Sequence, residues 1–220
     1  MADRKEHARK LARLGAGCLA MLLATGAAGG PRPAPVRELR RAVSVEAPRP
    51  AGDGPTHAAI ARLVRVYRAT PDHAWQRRLA AAIHDHAVTA GADPLLVAAI
   101  VASESSFRSR AVSSRGAVGL MQIRPWVAQE VAARAGIEWR GLDTLRSPEA
   151  NIQIGVSYFL ELLEQFDRDP VRALAAYRDG PTRVRQQLRD GTFQDNEYTR
   201  RVLGLYRDLA DGVPGPGGRA

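Results

Sequence analysis

The spacing of apolar and polar positions is helical along most of the chain. One segment, 95–102, is apolar on every side, which predicts a helix buried in the core. No convincing alternation with period two is present, and only the Ser/Gly-rich stretch 108–119 could form a small hairpin. The pattern predicts a mainly α domain over 57–211, with helices over 57–69, 71–90, 94–105, 125–135, 148–166, 170–177 and 196–210.

Proline and glycine mark the expected ends of these helices. A proline at the first helical position, preceded by a capping side chain, is expected at Thr70–Pro71, Asp93–Pro94, Ser147–Pro148 and Asp169–Pro170. Helix ends are expected at Gly91, Gly136 and Gly180, because glycine readily adopts the left-handed conformation found there.

The two ends of the chain differ in composition from this region. Basic residues up to Arg13 precede a short apolar run and then small residues, which is the layout of a secretory signal peptide or an N-terminal anchor over 1–30. Six prolines predict an extended linker over 31–56, and the Gly/Pro-rich tail 212–220 is expected to be disordered. We therefore expect export to the periplasm, with an inner-membrane anchor as the alternative. Cys18 has no second cysteine to pair with, so cysteine usage does not identify the compartment.

Length and charge limit the possibilities only broadly. The 220 residues allow one domain with a sizeable core. The net charge is +9, but the segments before residue 57 carry more than half of it, so the compact region is only mildly basic. Such a field suits a polyanionic partner, whether nucleic acid, membrane surface or cell wall, and charge does not choose among them.

Glu104 is unusually placed for an acidic residue. It lies at the end of the apolar helix, where the partial negative charge of the helix terminus and the apolar surroundings both disfavour an ionised carboxylate. A carboxyl group kept protonated near neutral pH can act as a general acid. Taken alone, the same pattern also fits a solvated glutamate at a helix end.

Four sequence blocks accompany this residue. The first is Glu104-Ser-Ser-Phe, followed by Ala-Val-Ser-Ser-Arg-Gly-Ala-Val-Gly-Leu-Met-Gln-Ile-Arg-Pro over 111–125. The others are Asn-Ile-Gln-Ile-Gly-Val-Ser-Tyr-Phe-Leu at 151–160, Ala-Leu-Ala-Ala-Tyr at 173–177 with Gly-Pro-x-x-Val at 180–184, and Tyr-Thr-Arg-Arg-Val-Leu-Gly-Leu-Tyr at 198–206. In this order they resemble the lytic transglycosylases of the lysozyme-like superfamily.

The resemblance implies a lysozyme-like fold and a role for each matching position. Glu104 would be the single catalytic acid/base, and no metal or cofactor would be needed. The substrate-binding set would be Ser105, Gly119, Met121, Gln122, Tyr177 and Tyr198. For Met121 a place in the core is favoured over ligand contact. Tyr158 is interpreted as a helix-packing residue and Asn151 as a buried hydrogen-bonding group. Trp126 is expected in the core or in partly exposed packing more than beside the groove.

Two positions depart from the family pattern. Arg178 stands where the family has asparagine, and Gln194-Asp195 stands where it has Glu-Thr. The second change would remove a carboxylate from the far edge of the groove. We expect both changes to alter substrate contacts rather than the chemistry.

The implied reaction cleaves the MurNAc–GlcNAc bond of peptidoglycan and leaves 1,6-anhydromuramic ends. A glycosidase that uses water needs a second carboxylate, and the first acid after Glu104 is Glu130. The alternatives are a goose-type lysozyme, with Glu130, Asp143 or Glu149 as second acid, and a weakly active wall-binding module.

The expected partner is the glycan strand, with a secretion, conjugation or pilus machine as a candidate, since small enzymes of this family often serve one. Nucleic acid is disfavoured by the export signal and by a motif centred on a carboxyl group. His84 and His86 flank Asp85 and point to different faces of their helix, so a zinc site is not expected there.

Overall fold

A computed structural model describes residues 54–212 of the chain. Within this range the chain is mainly helical, as predicted. Its helices are α1 Pro55–Tyr67, α2 His73–Ala90, α3 Pro94–Ser105, α4 Pro125–Ala135, α5 Leu142–Arg146, α6 Pro148–Gln165, α7 Pro170–Asp179, α8 Pro181–Arg189 and α9 Glu197–Ala210. The expected signal segment 1–30, most of the linker and the tail from 213 lie outside the described residues. Across the described range, every helix is too short or too polar to cross a bilayer.

Three of the four predicted proline caps are confirmed. The Asp93 carboxylate accepts from the backbone N–H of Leu95 at 2.8 Å, and Ser147 and Asp169 cap α6 and α7 in the same way. The prediction for Thr70–Pro71 is wrong, because Asp72 is the cap and α2 begins at His73. The start of α1 also differs, since Pro55 occupies its first turn and the predicted linker therefore ends before it.

Helix α3 lies at the centre of the fold. All its side chains from Leu96 to Ala102 are buried, as the uninterrupted apolar run predicts. Helices α9, α2 and α1 pack against it. The helix ends abruptly because Ser106 and Phe107 both adopt left-handed backbone conformations, with φ of 50° and 58°. Phe107 is fully buried, edge-on to the Tyr67 ring, and this contact anchors the turn that follows α3.

The predicted hairpin near 108–119 forms as isolated antiparallel bridges rather than as full strands. Val118 pairs with Val112 on one side and with Ile123 on the other. The backbone N–H of Gly119 donates to the carbonyl of Ala111 at 2.8 Å. The chain from 111 to 123 therefore consists of three short segments that pair side by side and are joined by turns. This segment, called here the three-armed loop, lies beside the end of α3.

Asn151 of α6 fastens this loop to the helical core. Its side-chain oxygen accepts from the Met121 N–H at 2.8 Å, and its amide donates to the carbonyls of Val118 and Leu145 at 3.0 and 2.9 Å. A Cβ on Gly119, whose φ is 84°, would lie 2.1 Å from the Asn151 amide nitrogen, so only glycine fits there. The block around Gly119 and the block that begins at Asn151 thus interlock.

Two helices were not expected from the sequence. Helix α5 has only five residues, and Gly141, which precedes its first residue, provides no side-chain cap. Helix α8 begins at Pro181, directly after the glycine that ends α7. The Gly180–Pro181 pair ends one helix and starts the next, whereas the sequence pattern predicts only the end of a helix here.

Candidate active site

Glu104 occupies the second-last position of α3, at the point where the helix reaches the surface. Burial raises the pKa of its carboxyl group above the ordinary value. The Tyr198 hydroxyl and the positive charges of Arg178 and Arg201 oppose this effect and lower the pKa. Burial is the largest of these causes, so the protonated form of Glu104 is favoured relative to a glutamate in water.

A small pocket of about 90 Å³ opens over the Glu104 carboxyl. The three-armed loop contributes Ser113, Arg115 and Gln122 to its lining, and Arg124 and Arg178 complete it. Among the described residues, Glu104 is the only acid that lines this pocket. Glu130, Asp143 and Glu149, the candidates for a second carboxylate, do not reach it.

Gln122 is held in place by its own side chain. Its backbone adopts a left-handed conformation with φ of 50°, and its amide nitrogen donates to the carbonyls of Gly119 and Ala111 at 2.8 and 3.2 Å. Both amide hydrogens are used in these bonds, so the side-chain oxygen is the group that remains for a ligand.

Tyr177 stands behind the loop rather than in the open groove. Its hydroxyl donates to the Met121 carbonyl at 2.7 Å, and its ring packs against those of Tyr158 and Phe159. The Glu104 carboxylate is close enough to contribute, after burial, to a raised pKa of Tyr177. Tyr177 therefore links α7 and α6 to the loop on the side that faces Glu104.

Tyr198 of α9 lies on the other side of Glu104. Its hydroxyl is buried and has no partner in hydrogen-bonding geometry. It is nevertheless close enough to the Glu104 carboxylate to lower the pKa of that group. The guanidinium carbons of Arg178 and Arg201 lie 5.7 and 5.8 Å from the centre of its ring. These distances are those of cation–π contacts.

Three residues expected to bind substrate are turned away from the groove. The Ser105 hydroxyl is buried and donates to the carbonyl of Val101 in its own helix. Met121 is fully buried with its side chain against Gly155, and Gly119 is covered by Asn151. The sequence places these residues beside the site, and the structure shows that they support its walls.

Several charged side chains of α7 and α9 lie on the Tyr198 side of Glu104. Asp195, one of the two departures, pairs with Arg200 at 3.0 Å. The adjoining pocket is lined by Arg178, Tyr198 and Arg201 together with two acids, Asp179 and Glu197. Asp179 and Glu197 occupy other positions of the sequence, so the loss of a family carboxylate at Gln194 stays a prediction.

Of the arginines of the site, the sequence singles out only Arg178 and gives no signal for Arg115, Arg124 and Arg201. Arg115 lies in the three-armed loop and Arg124 directly after it, where no helical spacing marks them. Arg201 lies in a helix far along the chain. Trp126 is 60% exposed and does not belong to the core, which is one of the two places that the sequence favours for it. Among residues 54–212, no group of three or more His, Cys, Asp and Glu side chains is arranged to hold a metal ion.

Comparison with known proteins gives consistent results. The family model described as Transglycosylase SLT domain matches residues 81–199. The soluble lytic murein transglycosylase of Salmonella typhimurium is 42% identical over 91 residues, which are 41% of this chain and 14% of that protein. The endo-type membrane-bound lytic murein transglycosylase A of Klebsiella pneumoniae is 45% identical over 78 residues, which are 34% of this chain and 37% of that protein.

Solved structures show the same fold. An inactive glutamate-to-glutamine mutant of the lytic transglycosylase Slt from Pseudomonas aeruginosa aligns with a TM-score of 0.56 and 32% identity, over 62% of this chain and 24% of that one. The 70-kDa soluble lytic transglycosylase of Escherichia coli aligns with a TM-score of 0.57 and 24% identity, over 72% of this chain and 30% of that one. The chain thus spans well under half the length of each of these proteins.

Proposed function

Because this chain belongs to the Transglycosylase SLT domain family, we propose that it is a peptidoglycan lytic transglycosylase with Glu104 as its single acid/base. It cleaves the β-1,4 bond between MurNAc and GlcNAc and leaves a 1,6-anhydromuramic end. The relatives named above as lytic murein transglycosylases support this assignment for the matched region.

The proposed reaction has two proton transfers at one carboxyl group. Protonated Glu104 donates to the glycosidic oxygen while the bond from that oxygen to C1 of MurNAc breaks. The Glu104 carboxylate then takes the proton from the C6 hydroxyl of the same MurNAc, and this oxygen forms a bond to C1. Glu104 ends protonated again, no water is consumed, and the product carries the 1,6-anhydro ring.

The observation that carries the proposal is the pairing of a raised Glu104 pKa with a pocket that has no second acid among the described residues. Burial keeps the proton on Glu104 for the first transfer. A hydrolase of the two-carboxylate type would need another acid close by to activate water or form a covalent intermediate. The inactivity of the glutamate-to-glutamine mutant of Pseudomonas aeruginosa Slt agrees with an essential glutamate in the family.

The other residues serve the same reaction. The free side-chain oxygen of Gln122 accepts a hydrogen bond from the sugar in the pocket. Tyr177 holds the Met121 carbonyl and with it the loop that carries Gln122. Tyr198 and Arg178 stabilise the carboxylate formed after the first transfer, since both favour the ionised form of Glu104. The walls of the Glu104 pocket are supported by Ser105, Met121 and Gly119.

The test is the chemical nature of the cleaved ends. Purified protein is incubated with peptidoglycan sacculi, and the released fragments are weighed by mass spectrometry. We expect 1,6-anhydromuramic ends, and we expect Glu104→Gln to reduce their rate of formation about a thousandfold, because general acid–base catalysis contributes on this order. Glu130→Gln is the matched control, since Glu130 is exposed and outside the pocket.

Other outcomes would identify the alternatives. Hydrated reducing ends would indicate a lysozyme-type hydrolase, and activity should then depend on Asp179 or Glu197, the acids of the adjoining pocket. A protein that releases no fragments but binds sacculi equally well with Glu104→Gln would be a wall-binding module.

Export to the periplasm is part of the proposal. It is supported by the signal-like composition of residues 1–30 and by the relatives, one described as soluble and another as membrane-bound. The mature N-terminus, determined by mass spectrometry of protein from the cell envelope, distinguishes a cleaved signal from an anchor. A secretion, conjugation or pilus machine is the candidate partner, and co-purification from crosslinked envelopes tests it.

A further inference from the structure

Helix α9 packs along α3, the helix that carries Glu104. Among the described residues, two side-chain hydrogen bonds join these helices. One runs from Arg201, near the start of α9, to the Ser103 carbonyl near the end of α3. The other runs from Tyr206, later in α9, to Asp93, the residue that caps the start of α3. The two helices are therefore antiparallel, and their contact, called here the α3–α9 seam, is tied near both ends.

The tie at the active-site end of the seam is weak. Arg201 donates to the Ser103 carbonyl at 3.4 Å, which is longer than an ordinary N–H···O hydrogen bond. The hydroxyl oxygens of Ser103, Tyr198 and Thr199 are buried here without a hydrogen-bond partner in the described part of the chain. Directional bonds at this end therefore do little to hold α9 in place, although Tyr198 has to lie close to Glu104.

The tie at the other end of the seam is strong. The Tyr206 hydroxyl donates to Oδ2 of Asp93 at 2.7 Å, a distance typical of a hydroxyl bonded to a carboxylate. Oδ1 of Asp93 accepts from the Leu95 N–H at 2.8 Å, so one carboxylate both caps α3 and holds α9. Burial and the Asp93 charge raise the pKa of Tyr206, which keeps its hydroxyl protonated and able to donate.

The middle of the seam is apolar. The side chains of α3 from Leu96 to Ala102 are buried, and Val202 and Leu205 of α9 are buried as well. Apolar burial is not directional, so it favours contact between the helices more than one particular position of α9 along α3. That position therefore depends mainly on the bond between Tyr206 and Asp93.

We infer that Tyr206 is a positioning residue of the active site, which acts through Asp93 to fix the position of α9 along α3. In this position α9 holds Tyr198 and Arg201 beside Glu104. The inference rests on the proposed function. Tyr206 lines neither the Glu104 pocket nor the adjoining one. It acts from a distance, because a rise of 1.5 Å per residue places Glu104 about 16 Å from Asp93 along the axis of α3.

Loss of this tie should change the surroundings of Glu104 in one direction. Tyr198 and Arg201 both lower the pKa of Glu104, so a less firmly held α9 should weaken both effects and raise that pKa further. The other charged or titratable groups near Glu104 lie outside α9 and should keep their positions: Arg115, Arg124, Tyr177 and Arg178.

The experiment follows Glu104 itself by nuclear magnetic resonance. The protein is isotope-labelled at the glutamate carboxyl carbons, and the Glu104 signal is assigned by its absence from Glu104→Gln protein. We expect the midpoint of its titration to lie at higher pH in Tyr206→Phe, a variant that keeps the buried ring and loses only the hydroxyl. With soluble glycan strands we expect kcat to fall about tenfold, because misplacement costs rate, and KM to stay unchanged.

Asp72→Ala is the matched control for a general loss of stability. Asp72 caps α2 as Asp93 caps α3, but α2 contributes no residue to the Glu104 pocket. This variant should melt at a lower temperature and keep the wild-type midpoint of Glu104.

Asp93→Asn tests the other partner of the tie. Asparagine still caps α3 but lacks the charge that holds the Tyr206 hydroxyl. If Tyr206 acts through Asp93, the effects of Tyr206→Phe and Asp93→Asn on the Glu104 midpoint should not add in the double variant.

Three results would overturn the inference. The first is an unchanged Glu104 midpoint in Tyr206→Phe, and the second is an equal shift in Asp72→Ala. The third is a double variant whose shift equals the sum of the two single shifts, which would mean that Tyr206 does not act through Asp93. Failure of the proposed function is a separate outcome: wild-type protein would release no 1,6-anhydro ends, whatever the midpoints in the variants.

Discussion

At the scale of single residues, Glu104 is subject to opposing influences. Burial at the end of α3 raises its pKa, whereas Tyr198, Arg178 and Arg201 lower it. The proposed reaction needs both protonation states in turn, so neither influence can dominate completely. A carboxyl group that is too strongly stabilised as an anion donates no proton, and one that is too strongly buried takes none back.

The substitution Arg178→Asn tests this balance, and it restores the residue that is usual in the family. The proposed reaction needs protonated Glu104 in the free enzyme, so we expect kcat/KM to be retained below the raised Glu104 pKa and lost as the pH rises through it. Removal of the Arg178 charge takes away one of the effects that lower the Glu104 pKa, so the alkaline limb of the profile should move to higher pH. Profiles of kcat/KM against pH measure the change.

Arg183→Asn is the control for this shift. Arg183 is an exposed residue of α8, outside the Glu104 pocket and the adjoining one, and its replacement removes the same charge. An equal displacement of both profiles would mean that net charge, and not the position of Arg178, sets the pKa.

The side chains at the site were only partly predictable from the sequence. The position of Glu104 followed from the apolar helix before it and from the blocks after it. The direction of the Ser105 and Met121 side chains did not, because one hydroxyl can bond to its own helix and one methionine fits either a core or a groove. The Met121 side chain packs against Gly155, a residue distant in the chain, whereas the Ser105 hydroxyl bonds to Val101 one turn earlier in its own helix.

At the scale of elements, local chemistry predicted most helix boundaries. Asp93, Ser147 and Asp169 cap as expected because each precedes a proline that fixes the first helical turn. At the start of α2 the capping residue is Asp72 and not Thr70, because the Asp72 carboxylate accepts from the Trp75 N–H and is a strong capping group. Helix α5, with no capping side chain and a single turn, has no local signal that could have revealed it.

At Gly155 a contact between α6 and the loop outweighs the helix propensity of the residue. In the middle of α6, alanine would normally be favoured over glycine by about 1 kcal/mol. A Cβ at this position, however, would lie 2.3 Å from the Met121 sulfur and 2.7 Å from its Cβ. Gly155→Ala should therefore lower the free energy of unfolding, by about 1–3 kcal/mol, because the loop must shift to make room. Urea denaturation measures the difference.

Gly204→Ala is the matched substitution in α9. Nothing lies within 4 Å of a Cβ at this position, so helix propensity alone should act and raise the free energy of unfolding by about 0.5–1 kcal/mol. The two variants are expected to have opposite signs. An increase in stability for Gly155→Ala would contradict the contact between α6 and the loop.

At the scale of the whole molecule, arginines divide into two groups by their surroundings. Every lysine of the chain lies within the first ten residues, so arginine and, when protonated, histidine supply the positive side-chain charge of the described part. The paired arginines bind carboxylates on helix surfaces, such as Arg134 with Glu161 at 2.7 Å. The arginines around the Glu104 pocket, Arg115 and Arg124 among them, form no ion pair with other described residues. The sequence count of a mildly basic domain did not show this arrangement, because net charge contains no information on where the charges lie.

An uneven distribution of charge should make binding to the wall sensitive to salt. Exposed charges are screened over about 8 Å at physiological ionic strength, so the attraction between unpaired arginines and an anionic wall weakens as salt rises. We expect Glu104→Gln protein to leave sacculi progressively as sodium chloride increases, with no parallel loss of fold in circular dichroism. Arg115→Gln should flatten this dependence more than Arg134→Gln, although both remove one positive charge, because the second charge is already compensated by Glu161. Identical slopes for the two variants in a sedimentation assay would show that the wall responds to total charge and not to the arginines beside Glu104.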